Sequence, residues 1–225
     1  MDMEQLAVHQ KWVRAELDRC LSFWLEHGID QEYGGVYTCL DRTGTVFSTD
    51  KSVWMQGRCA WTFSHLCAVY GTRPQWLSAA KSCLDFLEAY CINHKAGGRL
   101  YFTVTKDGRP LRQRRYCFSE AFYVMANAEY AALTGDKEAL LRARSYYELI
   151  YKLNRGLIAD PAGLGPKTIP ETRTGRTLAD PMIYLNLSAV MRRCDPERMS
   201  LYEERARESA DEIVRYHLKP EIGCT

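Results

Sequence analysis

Apolar residues recur at the three-to-four spacing of an amphipathic helix over most of the chain, in seven segments broken by turn residues. The first runs from Glu4 to His27 and is closed by Gly28. Val53 to Tyr70 stops at Gly71, and Pro74 opens a partner that reaches about Cys91. Phe118 to Leu133 stops at Gly135 and is followed by Lys137 to about Leu153. A looser pair, Ala179 to Arg193 and Glu197 to about His217, is divided by Asp195-Pro196. Before the second and fourth segments the period drops to two. Gly34 to Phe47 and Gly98 to Leu111 set β-branched and aromatic residues around an Asp-containing turn closed by Gly44 or Gly108, the pattern of a short hairpin.

These segments repeat. Gly34 and Gly98, Tyr37 and Tyr101, Gly44 and Gly108, Trp54 and Phe118, Ala68 and Ala132, and Gly71 and Gly135 all stand 64 residues apart, with no insertion between the first pair and the last. A unit of one hairpin and two helices is too large for a tetratricopeptide-type repeat of about 34 residues. It fits an all-α ring, an α/α toroid, in which inner and outer helices alternate about an axis and the loops at one mouth carry function. An open helical solenoid used as a binding platform is the competing reading.

Composition narrows the partners. Lys and Arg number 30 against 28 Asp and Glu, so the formal charge of +2 gives no general attraction for nucleic acid or an anionic membrane. No apolar run approaches the roughly 18 residues of a membrane span, and Met1 to Gln5 lack the basic and apolar regions of a signal peptide. A cytoplasmic protein is expected. The nine cysteines show no CxxC or Cys/His ligand spacing. Those at Cys20, Cys59, Cys67, Cys83 and Cys117 lie singly on apolar faces and read as reduced core thiols, and no metal or cofactor is expected.

The densest chemistry lies in Lys51 to Phe63, read as an inner helix with Trp54 and Trp61 seven residues apart and Arg58 four after Trp54. An arginine on an apolar helix face needs an anionic or oxygen-rich partner, and an internal ion pair with Glu120 would satisfy it without any function. The second unit offers Ser119-Glu120 among aromatics, and the third offers Met182 and Asn186. Flat apolar surface mixed with planar hydrogen-bonding groups suits a sugar, although aromatic stripes also build ordinary core. The histidines (His9, His27, His65, His94 and His217) have no carboxylate at a spacing that marks an acid/base pair. Nucleophile elbow, phosphate loop and dinucleotide fingerprint are missing, and the Gly156 to Gly165 stretch, with Pro161, Pro166 and Pro170, reads as a loop.

Glu32-Tyr33-Gly34-Gly35-Val36-Tyr37, the W-x-Q-G-R-x-x-W run from Trp54 to Trp61, Tyr101-Phe102 before Asp107-Gly108, Phe118-Ser119-Glu120 and Pro181-Met182 leading to Asn186 together resemble the N-acylglucosamine 2-epimerases, whose relatives include cellobiose 2-epimerases. The resemblance implies an (α/α)6 toroid, dimeric at full length and free of metal. The implied reaction removes the proton at C2 of the ring-opened sugar and returns one to the other face, interconverting N-acylglucosamine and N-acylmannosamine through two histidines. Arg58 matches the arginine that stabilises developing negative charge on the reacting oxygen. Asn186 matches a sugar-contacting position, and Trp54, Ser119, Glu120 and Met182 match pocket lining. Where cellobiose-type relatives carry a histidine this chain has Val190, which favours the N-acylglucosamine branch. The whole of residues 1–225 reads as the N-terminal portion of one toroid, with Glu221 to Thr225 opening a further unit. The family's two catalytic histidines belong to later helices, so this chain alone is expected to be inactive. A non-catalytic sugar-binding or protein-interaction fragment is the alternative; a toroid glycoside hydrolase lacks the needed pair of carboxylates.

Overall fold

Helix starts and stops fall where local chemistry sets them. A computed structural model describes residues 2–165, 168–169, 171–173 and 175–223; Pro166, Pro170 and Cys224 lie outside the described residues. Helix α1 (Met3–Phe23) is capped by Asp2, whose carboxylate accepts the Gln5 N–H at 2.7 Å, and runs on through a wider turn at Trp24–Gly28. Pro74 supplies the first turn of α3 (Pro74–Tyr90), where its missing N–H costs nothing. Asp136 caps α5 (Lys137–Asn154) in the same way as Asp2, accepting from Ala139. The remaining helices are α2 (Val53–Tyr70), α4 (Phe118–Thr134), α6 (Ala179–Cys194) and α7 (Met199–Tyr216), the last entered through a short tight turn at Pro196–Arg198.

Helices α2, α4 and α6 pack side by side as an inner row, and α3, α5 and α7 each lie behind the inner helix that precedes them. Among the described residues this is the helical ring expected from the repeat, in part. The six repeat glycines, Gly34, Gly44, Gly71, Gly98, Gly108 and Gly135, all have positive φ between 77° and 91°, which favours glycine at each, although the chain leaves α2 extended at Gly71 (ψ 148°) and leaves α4 left-handed at Gly135 (ψ 15°).

The strands are short and serve the mouth. β1 (Cys39–Leu40) pairs with β2 (Val46–Ser48), and β4 (Ile92–Asn93) with β5 (Arg99–Leu100). A three-stranded sheet joins the two repeats, in the order β3 (Lys51–Ser52), β6 (Thr103–Val104), β7 (Pro110–Arg112). Lys51 and Ser52 therefore belong to a strand, not to the inner helix, because their backbone is taken up by Val104 and Thr103 of the neighbouring hairpin.

Two main apolar clusters lie between the helix rows, one joining α1, α2 and α3 to the far half of α4 and one among α4 to α7. Cys67, Cys83 and Cys117 are buried in them, as expected, and all eight described cysteines are free. Cys20 is exposed and Cys59 half-buried, because both border an apolar cavity of about 290 Å³ between α1 and α2 rather than packed core. Among the described residues no helix is long and apolar enough to cross a membrane, and no three His, Cys, Asp or Glu side chains group as metal ligands.

Candidate functional site

Each inner helix has two functional faces, and the repeat keeps them in register. The back faces the outer helices. There Gln56 grips the first hairpin, accepting the Val36 N–H and donating to the Val36 carbonyl, both at 2.7 Å. Glu120 stands 64 residues later and grips the second hairpin at the residue 64 after Val36, accepting the Leu100 N–H at 2.9 Å. Glu120 is fully buried and pairs with the equally buried Arg99 at 2.7 Å. The ion pair with Glu120 that would have left Arg58 without a function is not made, because Glu120 is turned to Arg99 and the second hairpin.

The front faces the concave side. On α2 it carries Trp54, Arg58, Trp61 and His65, one stripe at helical spacing. On α4 the residues 64 later are Phe118, Phe122, Met125 and Glu129, and on α6 they are Met182, Asn186, Ala189 and Arg193. Of the six site residues read from the sequence, the structure brings Trp54, Arg58, Met182 and Asn186 onto this face. Glu120 is on the back, and Ser119 is buried on the flank of α4.

Arg58 is exposed, with no carboxylate within ion-pair distance among the described residues. Its guanidinium lies over the rings of Trp54 and Phe122, 5.1 and 4.8 Å from their centroids. Such stacking holds the cation in place without neutralising it, at about 0.5–1 kcal/mol per exposed contact. The Trp61 indole N–H is buried with no acceptor among the described groups. Asn186 is exposed and touches α4 only through a long contact of its Nδ2 to Met125 Sδ at 3.8 Å. Met182 and Asn186 border an open cleft of about 610 Å³ between α6 and α7, whereas Arg58 borders the α1–α2 cavity. The two groups thus share one wall and sit in separate recesses of it.

Gly57, in the middle of the W-x-Q-G-R run, explains how α2 comes so close to α4. A Cβ there would lie 2.7 Å from the Phe122 backbone, so only glycine permits the approach that sets Phe122 beneath Arg58. Above this layer, Lys51 Nζ donates to Asp30 Oδ2 at 2.6 Å and to the Gly34 carbonyl at 2.7 Å, tying the first hairpin to the start of α2. Burial holds the Lys51 amine below its ordinary range despite Asp30. Burial also works against the Asp30 charge, but the Lys51 donor and the N–H groups of Glu32 and Tyr33 outweigh it and hold the carboxyl below its usual range.

Below the layer, sequence reasoning missed a contact. His65 Nδ1 lies 2.9 Å from Glu129 Oε1, so one histidine does have a carboxylate partner. Its spacing gives no local signal because the contact crosses between helices, although the offset of 64 could have revealed it. Arg193 donates to the same carboxylate through both terminal nitrogens. Burial opposes the Glu129 charge, and the donors from Arg193 and His65 overcome it and keep the carboxyl below its ordinary range.

The profile of the N-acylglucosamine 2-epimerase (GlcNAc 2-epimerase) family matches residues 35–222. The chain belongs to the N-acylglucosamine 2-epimerase family. It is 36% identical over 217 residues to the N-acylglucosamine 2-epimerase of Bos taurus, covering 96% of this chain and 51% of the relative. The cellobiose 2-epimerase of Ruminococcus albus is 32% identical over 142 residues, covering 62% of this chain and 36% of that relative. The solved structure of cellobiose 2-epimerase from Spirochaeta thermophila has a TM-score of 0.73 at 26% identity, covering 93% of this chain and 55% of that one. The chain spans about half the length of the curated N-acylglucosamine 2-epimerases it matches. Its helical ring is the (α/α)6 toroid of this family, in incomplete form, and the family is one of carbohydrate epimerases.

Proposed function

We propose that the concave face formed by Trp54, Arg58, Phe122, Met182 and Asn186 is one wall of a sugar 2-epimerase pocket, and that its substrate pair is N-acylglucosamine and N-acylmannosamine. The observation that carries this reading is the uncommitted Arg58 guanidinium. It lies over two aromatic rings, is exposed and borders the cavity between α1 and α2, so it is free to meet an oxygen that gains negative charge. Removal of the C2 proton from the open-chain sugar puts that charge on the carbonyl oxygen, and a fixed guanidinium stabilises it by two parallel N–H donors. Asn186, with both donor and acceptor on one planar group, suits a sugar hydroxyl or the N-acyl amide. Val190 in place of a histidine supports the N-acyl branch over the disaccharide branch.

In this reading residues 1–225 are the N-terminal portion of a single toroid and supply the arginine wall, while the two proton-transferring histidines implied by the family resemblance come from helices beyond it. The test is calorimetric titration of N-acetylmannosamine into this chain and its Arg58→Ala form, with a chromatographic assay for N-acetylglucosamine beside it. Saturable binding that weakens about tenfold or more in Arg58→Ala, without turnover, is the expected result. Turnover by the chain alone would mean that a residue within it moves the proton. Binding indifferent to Arg58 would remove the arginine from the pocket.

A further inference from the structure

The stripe that receives Arg58 and Asn186 on α4 ends in a clamp. Phe122 lies under Arg58, Met125 touches Asn186, and Glu129, one turn further on, is almost completely buried. Glu129 takes His65 of α2 at 2.9 Å and both terminal nitrogens of Arg193 of α6, one of them at 2.8 Å. His65 stands seven residues after Arg58, and Arg193 seven after Asn186. Seven residues are two helical turns, about 10 Å of rise. One carboxylate therefore joins both flanking helices to α4 at a single depth, directly below the two groups that present polar atoms to the concavity.

The Glu129 carboxylate is buried and fully engaged. Its oxygens already accept from His65 and both terminal nitrogens of Arg193, and Cys194 Sγ donates a fourth, weak bond at 3.7 Å. The His65 ring is fixed on its other side by stacking on Trp61, 5.2 Å between centroids and 6° from parallel. A side chain this constrained holds geometry well. We propose that Glu129 is a positioning residue: it sets the distance between Arg58 and Asn186 across α4, and through it the affinity of the concave face for an N-acyl amino sugar. The sugar part of this inference rests on the function proposed above.

The experiment is a double-mutant cycle on N-acetylmannosamine affinity, with Glu129→Gln made alone and in an Arg58→Lys background. Glu129→Gln keeps the volume and removes the charge. The expected outcome is an affinity loss of about tenfold where Arg58 is intact and of less than about twofold in the Arg58→Lys background, where no guanidinium fork remains to be positioned. Equal losses in both backgrounds would mean that Glu129 acts through general stability and would overturn the proposal. Native-state hydrogen exchange supplies an arm that needs no sugar. Loss of protection in Glu129→Gln should climb from residues 65 and 193 to the turns that hold Arg58 and Asn186; loss confined to the last turns of α2 and α6 refutes positioning. Should Glu129→Gln not fold, Arg193→Gln opens only the α6 half of the clamp, and it should loosen Asn186 while leaving Arg58 protected. A wild-type chain that binds no sugar would defeat the proposed function and leave the exchange result to decide the role of Glu129.

Discussion

Gln56 and Glu120 occupy one position in successive repeats and hold the same point of successive hairpins, yet they do so with different chemistry. The Gln56 amide satisfies both polar groups of Val36 by itself. Glu120 can only accept, so it takes the Leu100 N–H and leaves the Leu100 carbonyl to Gln113 Nε2 at 2.7 Å, while Arg99 neutralises its charge. One residue does the work in the first repeat and three share it in the second. A buried carboxylate is tolerated only with a paired cation, so the second grip is more costly to break.

That difference can be tested by removal. Glu120→Ala should be the most damaging, at about 3 kcal/mol, because it orphans the buried Leu100 N–H and takes from the buried Arg99 one of its two carboxylates, leaving Asp160 alone; chemical denaturation of both Ala variants gives the comparison. Gln56→Ala should cost less, about 2 kcal/mol, since it orphans two neutral backbone groups and no charge. If the two losses are equal, the charge on Glu120 does not matter to the grip. Gly57→Ala should also destabilise, by about 1–3 kcal/mol, although Ala is the better helix former by about 1 kcal/mol. A gain in thermal midpoint there would mean that α2 and α4 can separate without penalty.

Acid separates Glu120, whose carboxyl burial pushes up despite Arg99, from three carboxylates held in their charged form. Asp30, Glu129 and Asp195 are all held below their ordinary range in the folded chain, each against the cost of burial, by Lys51 and backbone N–H groups, by Arg193 and His65, and by Arg144 and Tyr202 respectively. A depressed carboxyl contributes stability that is present above its unfolded value, about 4, and is lost as pH falls through the folded one. Stability should therefore fall below about pH 4, and Glu129→Gln should flatten that fall in an acid titration followed by circular dichroism. The smallest effect belongs to the front face. Arg58→Ala should cost only the two ring contacts it gives up, about 1 kcal/mol, while weakening sugar binding, which separates the groups that hold the fold from the one that meets the ligand.

The helices are readable from the chain because their signals are local. Apolar spacing, Gly71 and Gly135 at ends and Pro74 at a start act within a few residues. The repeat is readable too, and with it the pairing of Trp54 with Phe118. Trp54, Arg58, Met182 and Asn186 stand at corresponding positions of the inner helices, with Arg58 at one recess and Met182 and Asn186 at another. Glu120 does not follow, since a carboxylate beside aromatics looks the same in sequence whether it turns to the axis or to a hairpin behind the helix. His65 gives no local sign of its role because its partner stands 64 residues away, on the next inner helix.

The sequence by itself determined the elements, their order and the register of the repeat, because each depends on hydrogen bonds and side-chain spacing within a turn or two. Only the tertiary structure decided which polar residues are spent on holding the ring and which remain available. That choice depends on the face each inner helix turns toward its neighbours, and a buried charge is settled by whatever cation the packing brings beside it: Arg99 for Glu120, Arg193 for Glu129, and for the exposed Arg58 no carboxylate among the described residues.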